Sequence, residues 1–343
     1  MTTLKDRLIG MIEASGPVSV ATYMDLCLHD RRHGYYATRP ELGTDFITAP
    51  EISQIFGELL GLWAANEWQE MGAPRRFSLI EIGPGRGTLM ADALRATRGV
   101  EDLHKAMGVC FIEASPALQA ELEQRFDDIA VRFLPDLEAI STDQPFILIA
   151  NEWLDCLPVQ QYVRVGEAWH ERVVGLNADG DLSFGLDPAS LPENLSPSAN
   201  QNAVELQPAL RTVSETLSRL LRETPGRALF IDYGPGDATP EDTLRSFRAG
   251  EQIDPLAAPG ESDLTCDVDF GRFARLMAQQ GLRVEGPVSQ SQFLQTLGAE
   301  ARLNQLARQN PEAAEALYRG ALKLVDPDQM GTRFQVLTVS NSG

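Results

Sequence analysis

The clearest pattern in the chain is a series of short apolar runs that alternate with helical stripes from residue 77 onward. The runs have the length of buried strands and lie at residues 77–82, 109–113, 131–134 and 146–150. Segments with helical spacing of apolar residues, at 88–97 and 116–126, separate the first three runs. Apolar strands divided by helices are typical of a parallel sheet covered on both faces, so the pattern predicts an α/β fold.

Different patterns flank this core. Helical spacing before the first strand predicts helices at residues 4–14, 19–28 and 51–71. After residue 158, the stretches QYVRV, WHERVVGL and DLSFGL alternate like short antiparallel strands. A Pro/Gly-rich stretch at 249–269 predicts a long loop. The predicted organisation is an N-terminal helical region at 1–72, a core formed by 73–158 and 226–343, and an antiparallel and helical insertion at 159–225.

The charge of the chain restricts its partners. The 343 residues include 29 Lys and Arg against 49 Asp and Glu, which gives a formal net charge of −20. Phosphate binding requires a basic face, and none is visible in the sequence, so a nucleic-acid partner is disfavoured. An acidic surface suits solubility and also cationic protein segments.

Neither a metal site nor membrane insertion is expected. The four cysteines are scattered without a CxxC pair, which is typical of reduced core residues. His29 and His33 have no Cys or second carboxylate cluster beside them, so we expect no metal. No apolar stretch approaches the ~18 residues of a membrane span. Because the N-terminus has neither signal-peptide nor transit-peptide features, we expect a protein of the bacterial cytoplasm.

A glycine loop follows the first predicted strand. In SLIEIGPGRGTLMADALR, Gly83, Gly85 and Gly87 separate the strand from a helix. Such a turn lets the backbone approach a ligand while the N–H groups of the helix face it. A dinucleotide requires G-x-G-x-x-G, but here the third glycine comes one position early and Thr88 takes the place of the last one. Glu81 would also lie poorly beside a pyrophosphate.

A cationic ligand without phosphate fits this loop better. S-adenosylmethionine carries a sulfonium and an ammonium, which suit backbone contacts together with the Glu81 carboxylate. Glu113 ends the second strand, where an acid accepts both ribose hydroxyls, although this geometry serves either ligand class. Asp136, past the third strand, either accepts from the adenine amine or caps a turn. The sequence therefore favours S-adenosylmethionine as the cofactor over a dinucleotide.

A polar corner ends the fourth strand. Asn151, Glu152 and Asp155 follow the apolar run in PFILIANEWLDCLPV, and ligands of open α/β sheets bind beyond the carboxyl ends of strands. An Asn amide oxygen can accept a hydrogen bond from a nucleophilic nitrogen, and two carboxylates can accept hydrogen bonds from the planar N–H donors of a guanidinium. Helix capping is the alternative role for Glu152 and Asp155. Because the sulfonium methyl is already activated, the chemistry mainly requires alignment and exclusion of water.

Several stretches of the sequence form a recognisable set: HGYY, TDFITAPEISQIFGELLG, IEIGPGRGTLMADALR, ANEWLDCLPV, IDYGP, DLTCDVDF and SQFLQTLG. Together they resemble the MidA-like family of class I S-adenosylmethionine-dependent methyltransferases, related to the mitochondrial complex I assembly arginine methyltransferase. The resemblance implies a Rossmann-like, mostly parallel seven-stranded sheet with helices on both faces. It also implies an N-terminal helical extension and a mixed insertion after the fourth strand.

The resemblance further implies an activity. The expected reaction is symmetric dimethylation of an arginine on the complex I subunit beside the quinone site, early in assembly. The residues that match the cofactor-binding motifs are Glu81, Gly83, Gly85, Gly87 and Glu113. The acceptor corner corresponds to Asn151, Glu152 and Asp155, and residues 45–51 would form a lid that brings in Asp45 and Glu51. The eukaryotic relatives would lie in the mitochondrial matrix, and a homodimer is compatible with the sequence.

The chain departs from the family pattern in three places. Thr44 stands where the family usually has Gly, Cys266-Asp267 where it often has Ala-His, and Ser291-Gln292 where it often has Gln-Gly. The first change affects loop flexibility and the second removes a histidine, so the departures concern the substrate rather than the cofactor. Two alternatives remain open: a non-catalytic assembly factor that keeps the fold, and an enzyme acting on a small molecule.

Overall fold

The computed structural model describes residues 3–38, 48–192, 195, 197, 200–236 and 238–341. Its contacts divide the chain into two compact units. The first unit is formed by Met1–Phe46, Asp155–Leu210 and Asp237–Asp269, and the second by Ile47–Leu154, Arg211–Gly236 and Phe270–Gly343.

Helices and strands are both numbered in chain order. The helices are α1 (Leu4–Ser15), α2 (Val20–His29), α3 (Tyr35–Thr38), α4 (Ala49–Ile52), α5 (Gln54–Glu70), α6 (Thr88–Ala96), α7 (Leu103–Ala106), α8 (Pro116–Arg125), α9 (Ala209–Glu223), α10 (Phe270–Gln279), α11 (Gln290–Thr296), α12 (Ala299–Gln309) and α13 (Ala314–Val325). The strands are β1 (Val18–Ser19), β2 (Phe77–Ile82), β3 (Met107–Ile112), β4 (Val131–Leu134), β5 (Phe146–Asn151), β6 (Gln160–Val165), β7 (Ala168–Leu176), β8 (Leu182–Pro188), β9 (Ala203–Leu206), β10 (Gly226–Tyr233), β11 (Arg245–Arg248), β12 (Glu251–Ile253), β13 (Asp263–Thr265), β14 (Arg283–Ser289) and β15 (Phe334–Ser340).

A seven-stranded sheet is the centre of the second unit. Its strand order is β14-β15-β10-β5-β2-β3-β4. The pairs from β10 to β4 are parallel, whereas β15 runs antiparallel to both of its neighbours, so the sheet is mixed. All six residues of β2 and of β5 are buried, which explains why these strands are mostly apolar in sequence.

Two helices fix the position of the glycine loop relative to this sheet. A side chain on Gly61 of α5 would lie 2.6 Å from the Cα atom of Ala93, so α5 and α6 approach at backbone distance. The buried Glu58 of α5 accepts from Arg95 of α6 at 3.0 Å and from Arg302 of α12 at 2.8 Å. These ion pairs satisfy a carboxylate that is only 1% exposed and hold α6 at the end of β2.

The first unit contains two smaller antiparallel sheets. One has the order β1-β7-β6-β9, with β8 also paired to β7. The other has the order β12-β11-β13, and two of its strands, β12 and β13, lie within the stretch that the sequence predicted to be a loop. The prediction of a loop at 249–269 is therefore wrong for β12 and β13, whose three-residue length gives too little alternation to detect.

Other boundaries also differ from those expected. The predicted helix at 51–71 is split, because Ser53 is extended and its hydroxyl accepts from the N–H of Ile55 as the cap of α5. Residues 47–72 belong to the second unit rather than to the N-terminal helices, and residues 237–269 belong to the first unit. In the described ranges, no helix combines the length and apolar character that crossing a membrane requires.

Candidate active site

The carboxyl ends of four neighbouring strands meet at one edge of the seven-stranded sheet. Ile82 at the end of β2 is in register with Ile112 of β3 and with Ala150 of β5. Asn151 of β5 is in turn level with Ile231 of β10. Side chains that follow these positions therefore lie at a common edge, where open α/β sheets bind ligands.

The glycine loop borders open space at two positions. Gly83 and Gly85 have φ angles of +60° and +52°, which favour glycine. Among the described residues, a side chain on Gly85 would have no surrounding atom within 4 Å, and one on Gly83 would meet only Trp153 Cδ1, at 3.9 Å. The following helix α6 has Gly87 as its N-cap and no side-chain cap hydrogen bond. The loop thus offers backbone surface and helix N–H groups to a ligand.

Gly87 faces the protein instead. A side chain there would lie 2.7 Å from Phe126 Cε2 and 2.8 Å from Leu122 Cδ2 of the α8 region. Its role is therefore to let the start of α6 pack closely against α8, which sets the direction in which the loop leaves β2.

Glu81 is a buried carboxyl beside this loop. It is 3% exposed, and its Oε2 atom has no hydrogen-bond partner among the described residues. Burial raises the pKa of Glu81 to about 8, against weaker lowering by the Arg125 charge and by a hydrogen bond from the backbone of Met90. A buried carboxyl with a free oxygen is costly unless a donor or a cation arrives, so Glu81 favours a ligand that supplies one.

Glu113 and Asp136 follow the next two strands. The Oε1 atom of the half-buried Glu113 accepts from the N–H of Ser115 at 2.7 Å. Burial raises the pKa of Glu113, and the backbone N–H groups of Ser115 and Ala114 oppose the rise. Asp136 is exposed and accepts from the N–H of Ala139 at 3.0 Å, so it caps a short 3₁₀ helix. The structure shows this capping role, and the contact of Asp136 with adenine stays a prediction.

Asn151 and Glu152 form the polar corner at the end of β5. The Asn151 Nδ2 atom donates to Glu152 Oε1 at 3.0 Å, and the N–H of Ala49 donates to the same oxygen at 3.1 Å. Asn151 Oδ1 is buried and has no hydrogen-bond partner within the described part of the chain. Glu152 has a φ of +52°, which is uncommon for a residue other than glycine and is characteristic of functional sites. The corner therefore presents an unsatisfied amide oxygen at the edge that carries the glycine loop.

Two residues of β10, Asp232 and Tyr233, complete the corner. Tyr233 donates its hydroxyl to Glu152 Oε2 at 3.2 Å. Asp232 is fully buried, and its two oxygens accept from the N–H groups of Leu154 and Tyr233 at 2.8 and 2.9 Å. Asp232 thus holds the turn after β5, and Tyr233 reaches the site. The IDYGP stretch was the only sequence signal for either contact.

Asp155, Glu51 and Asp45 are the remaining residues predicted for the acceptor side, and that assignment stays a prediction. Asp155 belongs to the first unit, where its Oδ2 atom accepts from the Thr265 hydroxyl at 2.6 Å. Burial raises the pKa of Asp155 to about 6, and the Thr265 hydrogen bond opposes this. Glu51 lies exposed on α4, and Asp45 and Thr44 lie outside the described residues. In the described ranges, no group of three His, Cys, Asp or Glu side chains is arranged for a metal ion.

A family model matches the chain over residues 59–288. The description of that family is "Putative S-adenosyl-L-methionine-dependent methyltransferase". The matched segment runs from α5 to β14 and includes the glycine loop, Glu113 and the Asn151 corner. S-adenosylmethionine, the cofactor predicted from the sequence, is therefore confirmed at the level of the family.

Similar proteins are known over nearly the whole chain. The mitochondrial protein arginine methyltransferase NDUFAF7 of Rattus norvegicus is 36% identical, with 97% of this chain and 83% of that protein covered. The Homo sapiens protein of the same name is 35% identical over 97% of this chain and 82% of its own length. A crystal structure of a COG1565 superfamily member from Burkholderia thailandensis, bound to S-adenosyl-homocysteine, has the same fold. Its TM-score is 0.84 at 24% identity, with 99% of this chain and 92% of that chain covered. The chain belongs to the family of S-adenosylmethionine-dependent methyltransferases that includes the NDUFAF7 arginine methyltransferases.

Proposed function

We propose that this protein transfers a methyl group from S-adenosylmethionine to a guanidinium nitrogen of an arginine in a protein substrate. The observation that carries the proposal is the buried Asn151 Oδ1 atom, which lacks a partner among the described residues. Asn151 follows Ala150, which is in register with Ile82, the residue before the glycine loop. The relatives at 35–36% identity are named protein arginine methyltransferases, which supports arginine as the acceptor.

The residues beside the glycine loop fit the proposed cofactor. Gly83 and Gly85 supply backbone next to open space, and Glu81 supplies a buried carboxyl that lacks a donor at Oε2 among the described residues. These three would hold the amino-acid end, and Glu113 would accept from the ribose hydroxyls. Asp136 is proposed for the adenine amine. When bound, the cofactor supplies a methyl group that is already activated by its positive sulfur.

The protein's own contribution is to hold the acceptor nitrogen and balance its charge. Asn151 Oδ1 accepts an N–H of the guanidinium and orients the nitrogen lone pair, which accounts for the amide at this position. The Glu152 carboxylate adds negative charge beside it, which favours the approach of a cationic side chain. As the nitrogen–methyl bond forms and the sulfur–methyl bond breaks, the nitrogen would lose a proton to a carboxylate of the acceptor side. Asp155, Asp45 and Glu51 are assigned to the acceptor side on the family resemblance alone.

The substrate we propose is an arginine of the respiratory complex I subunit beside the quinone site, dimethylated symmetrically during assembly. This finer assignment is supported by the resemblance to the MidA-like family. The named relatives are mitochondrial proteins. For this chain we propose a location in the bacterial cytoplasm, and cell fractionation tests that location. A homodimer is a further proposal, and light scattering of the purified protein would detect it.

Methylation of a purified substrate tests the proposal. The chain is incubated with the complex I quinone-side subunit and S-adenosylmethionine that carries a deuterated methyl group, and peptides are analysed by mass spectrometry. We expect the label on an arginine, and its loss with Asn151→Ala. Cofactor binding without transfer to the subunit would identify a non-catalytic assembly factor, and transfer only to small molecules would contradict a protein substrate.

A further inference from the structure

The Glu152 carboxylate is the centre of a hydrogen-bond network in the second unit. Its Oε1 atom accepts from Asn151 Nδ2 and from the N–H of Ala49, and its Oε2 atom accepts from the Tyr233 hydroxyl. The three donors come from β5, from the start of α4 and from β10. A carboxylate that accepts from three directions is held in one orientation, because each rotation of it would break at least one bond.

This network determines which way the Asn151 amide points. A side-chain amide has a donor end and an acceptor end that differ little in shape. Because Glu152 Oε1 takes the Nδ2 end, the Oδ1 end is left for another partner. A rotated amide would place Oδ1 against the carboxylate oxygen, and the two acceptors would repel. Glu152 therefore sets the acceptor end of Asn151 as the free end.

The backbone that carries Glu152 is held just as firmly. Its φ of +52° is unfavourable for a side chain with a Cβ atom, and such a conformation persists only where the surroundings fix it. The N–H of Glu152 donates to Ile231 O at 2.9 Å, and Asp232 accepts from the N–H of Leu154 at 2.8 Å. Ile231 and Asp232, at the end of β10, thus fix the strained turn that carries Glu152. The residue after them, Tyr233, fixes the Glu152 carboxylate.

The ring of Tyr233 is placed by packing that does not depend on its hydroxyl. It meets Phe334 edge to face, with ring centroids 4.5 Å apart and planes at 61°. The Arg333 guanidinium also lies over the ring, at 5.9 Å from its centroid. Because packing already fixes the ring, the Tyr233 hydroxyl can donate to Glu152 Oε2 with little further loss of conformational entropy.

We propose that Tyr233 is a positioning residue for methyl transfer, which acts through Glu152 to keep the amide oxygen of Asn151 turned toward the acceptor nitrogen. The proposal rests on the function proposed above and adds a residue that touches neither cofactor nor substrate. It follows that the hydroxyl, and not the ring, carries the effect. It also follows that the effect depends on Asn151 being present.

A double-mutant cycle tests this dependence. We expect Tyr233→Phe to lower kcat about tenfold, the size of a lost hydrogen bond to a charged group, with KM for the substrate protein and the cofactor Kd changed less than about twofold. In an Asn151→Ala background, Tyr233→Phe should lower the residual kcat no further. Tyr318→Phe, which removes an exposed tyrosine hydroxyl that donates to Asn304 on the surface, is the matched control and should keep full kcat.

A second pair of variants separates positioning from a purely structural effect. Glu152→Gln keeps one oxygen as acceptor for Asn151 and Ala49 and can donate to the Tyr233 hydroxyl, so it should retain more kcat than Glu152→Ala. Full kcat in Tyr233→Phe, equal losses with and without Asn151, or equal kcat in the two Glu152 variants would each overturn the proposal. An inactive wild-type protein would overturn the proposed function itself, and this inference with it.

Discussion

Substitution of Glu81 by Gln should change how the stability of the unliganded protein depends on pH. Glu81 is 3% exposed, and burial raises its pKa from the ordinary 4.5 to about 8. The folded chain therefore binds a proton that the unfolded chain releases above pH 4.5. Since the folded state binds more protons in this range, the free energy of unfolding falls as pH rises from about 4.5 to about 8.

The magnitude follows from the two pKa values. The difference between 4.5 and about 8, at about 1.4 kcal/mol for each pKa unit, corresponds to about 5 kcal/mol of stability lost across this range. A glutamine at this position would not titrate, so the variant should lose that dependence and become the more stable protein near pH 8. Asp155, whose pKa is raised to about 6, titrates in both proteins, so its contribution cancels in the comparison.

Urea unfolding followed by fluorescence between pH 5 and pH 9 measures this difference. We expect the unfolding free energy of Glu81→Gln, relative to wild type, to increase with pH up to about pH 8 and then to level off, while the m-value stays the same. Glu121→Gln, which changes an exposed glutamate on α8, is the control and should run parallel to wild type. Parallel curves for Glu81→Gln and wild type would refute the reasoning, because the buried carboxyl would then carry no pH-dependent cost.

Two further substitutions probe the loop and the second strand. Gly87→Ala should lower stability by about 1–3 kcal/mol, because the added Cβ atom would lie 2.7 Å from the Phe126 ring at a φ of +75°. Thermal unfolding measures this, and an unchanged Tm would contradict the packing role. Glu113→Gln should weaken binding of S-adenosyl-homocysteine about tenfold, the loss of about one charge-assisted hydrogen bond. Calorimetry gives the Kd, and an unchanged value would remove Glu113 from the cofactor site.

Much of the second unit could be predicted because its signals are local. The strand at β2 and the glycine loop after it are visible in one stretch, since a strand buried on both faces is mostly apolar and the ligand-facing turn requires glycine. The register of parallel strands then places Glu113 and Asn151 at the same edge as that loop. These residues could therefore be identified from the sequence alone.

The contacts that complete the corner could not be predicted, because they are distant in sequence. Tyr233 reaches Glu152 across 81 positions, and the N–H of Ala49 reaches it across 103. Contacts over such distances produce no periodic pattern in the sequence. The unfavourable φ at Glu152 cannot be recognised from the residue types around it either. The short strands β12 and β13 were missed for a related reason, since three residues are too few to show alternation.

Binding of the cofactor by wild type and Gly85→Val tests the central claim most directly. Gly85 has a φ of +52° and borders open space, so a valine there would both strain the loop and fill the surface offered to the ligand. Titration calorimetry should show binding of S-adenosylmethionine to wild type, no measurable binding to a folded Gly85→Val variant, and none of NAD to either. Equal affinity of the two proteins for S-adenosylmethionine, or preferential binding of NAD, would contradict the account.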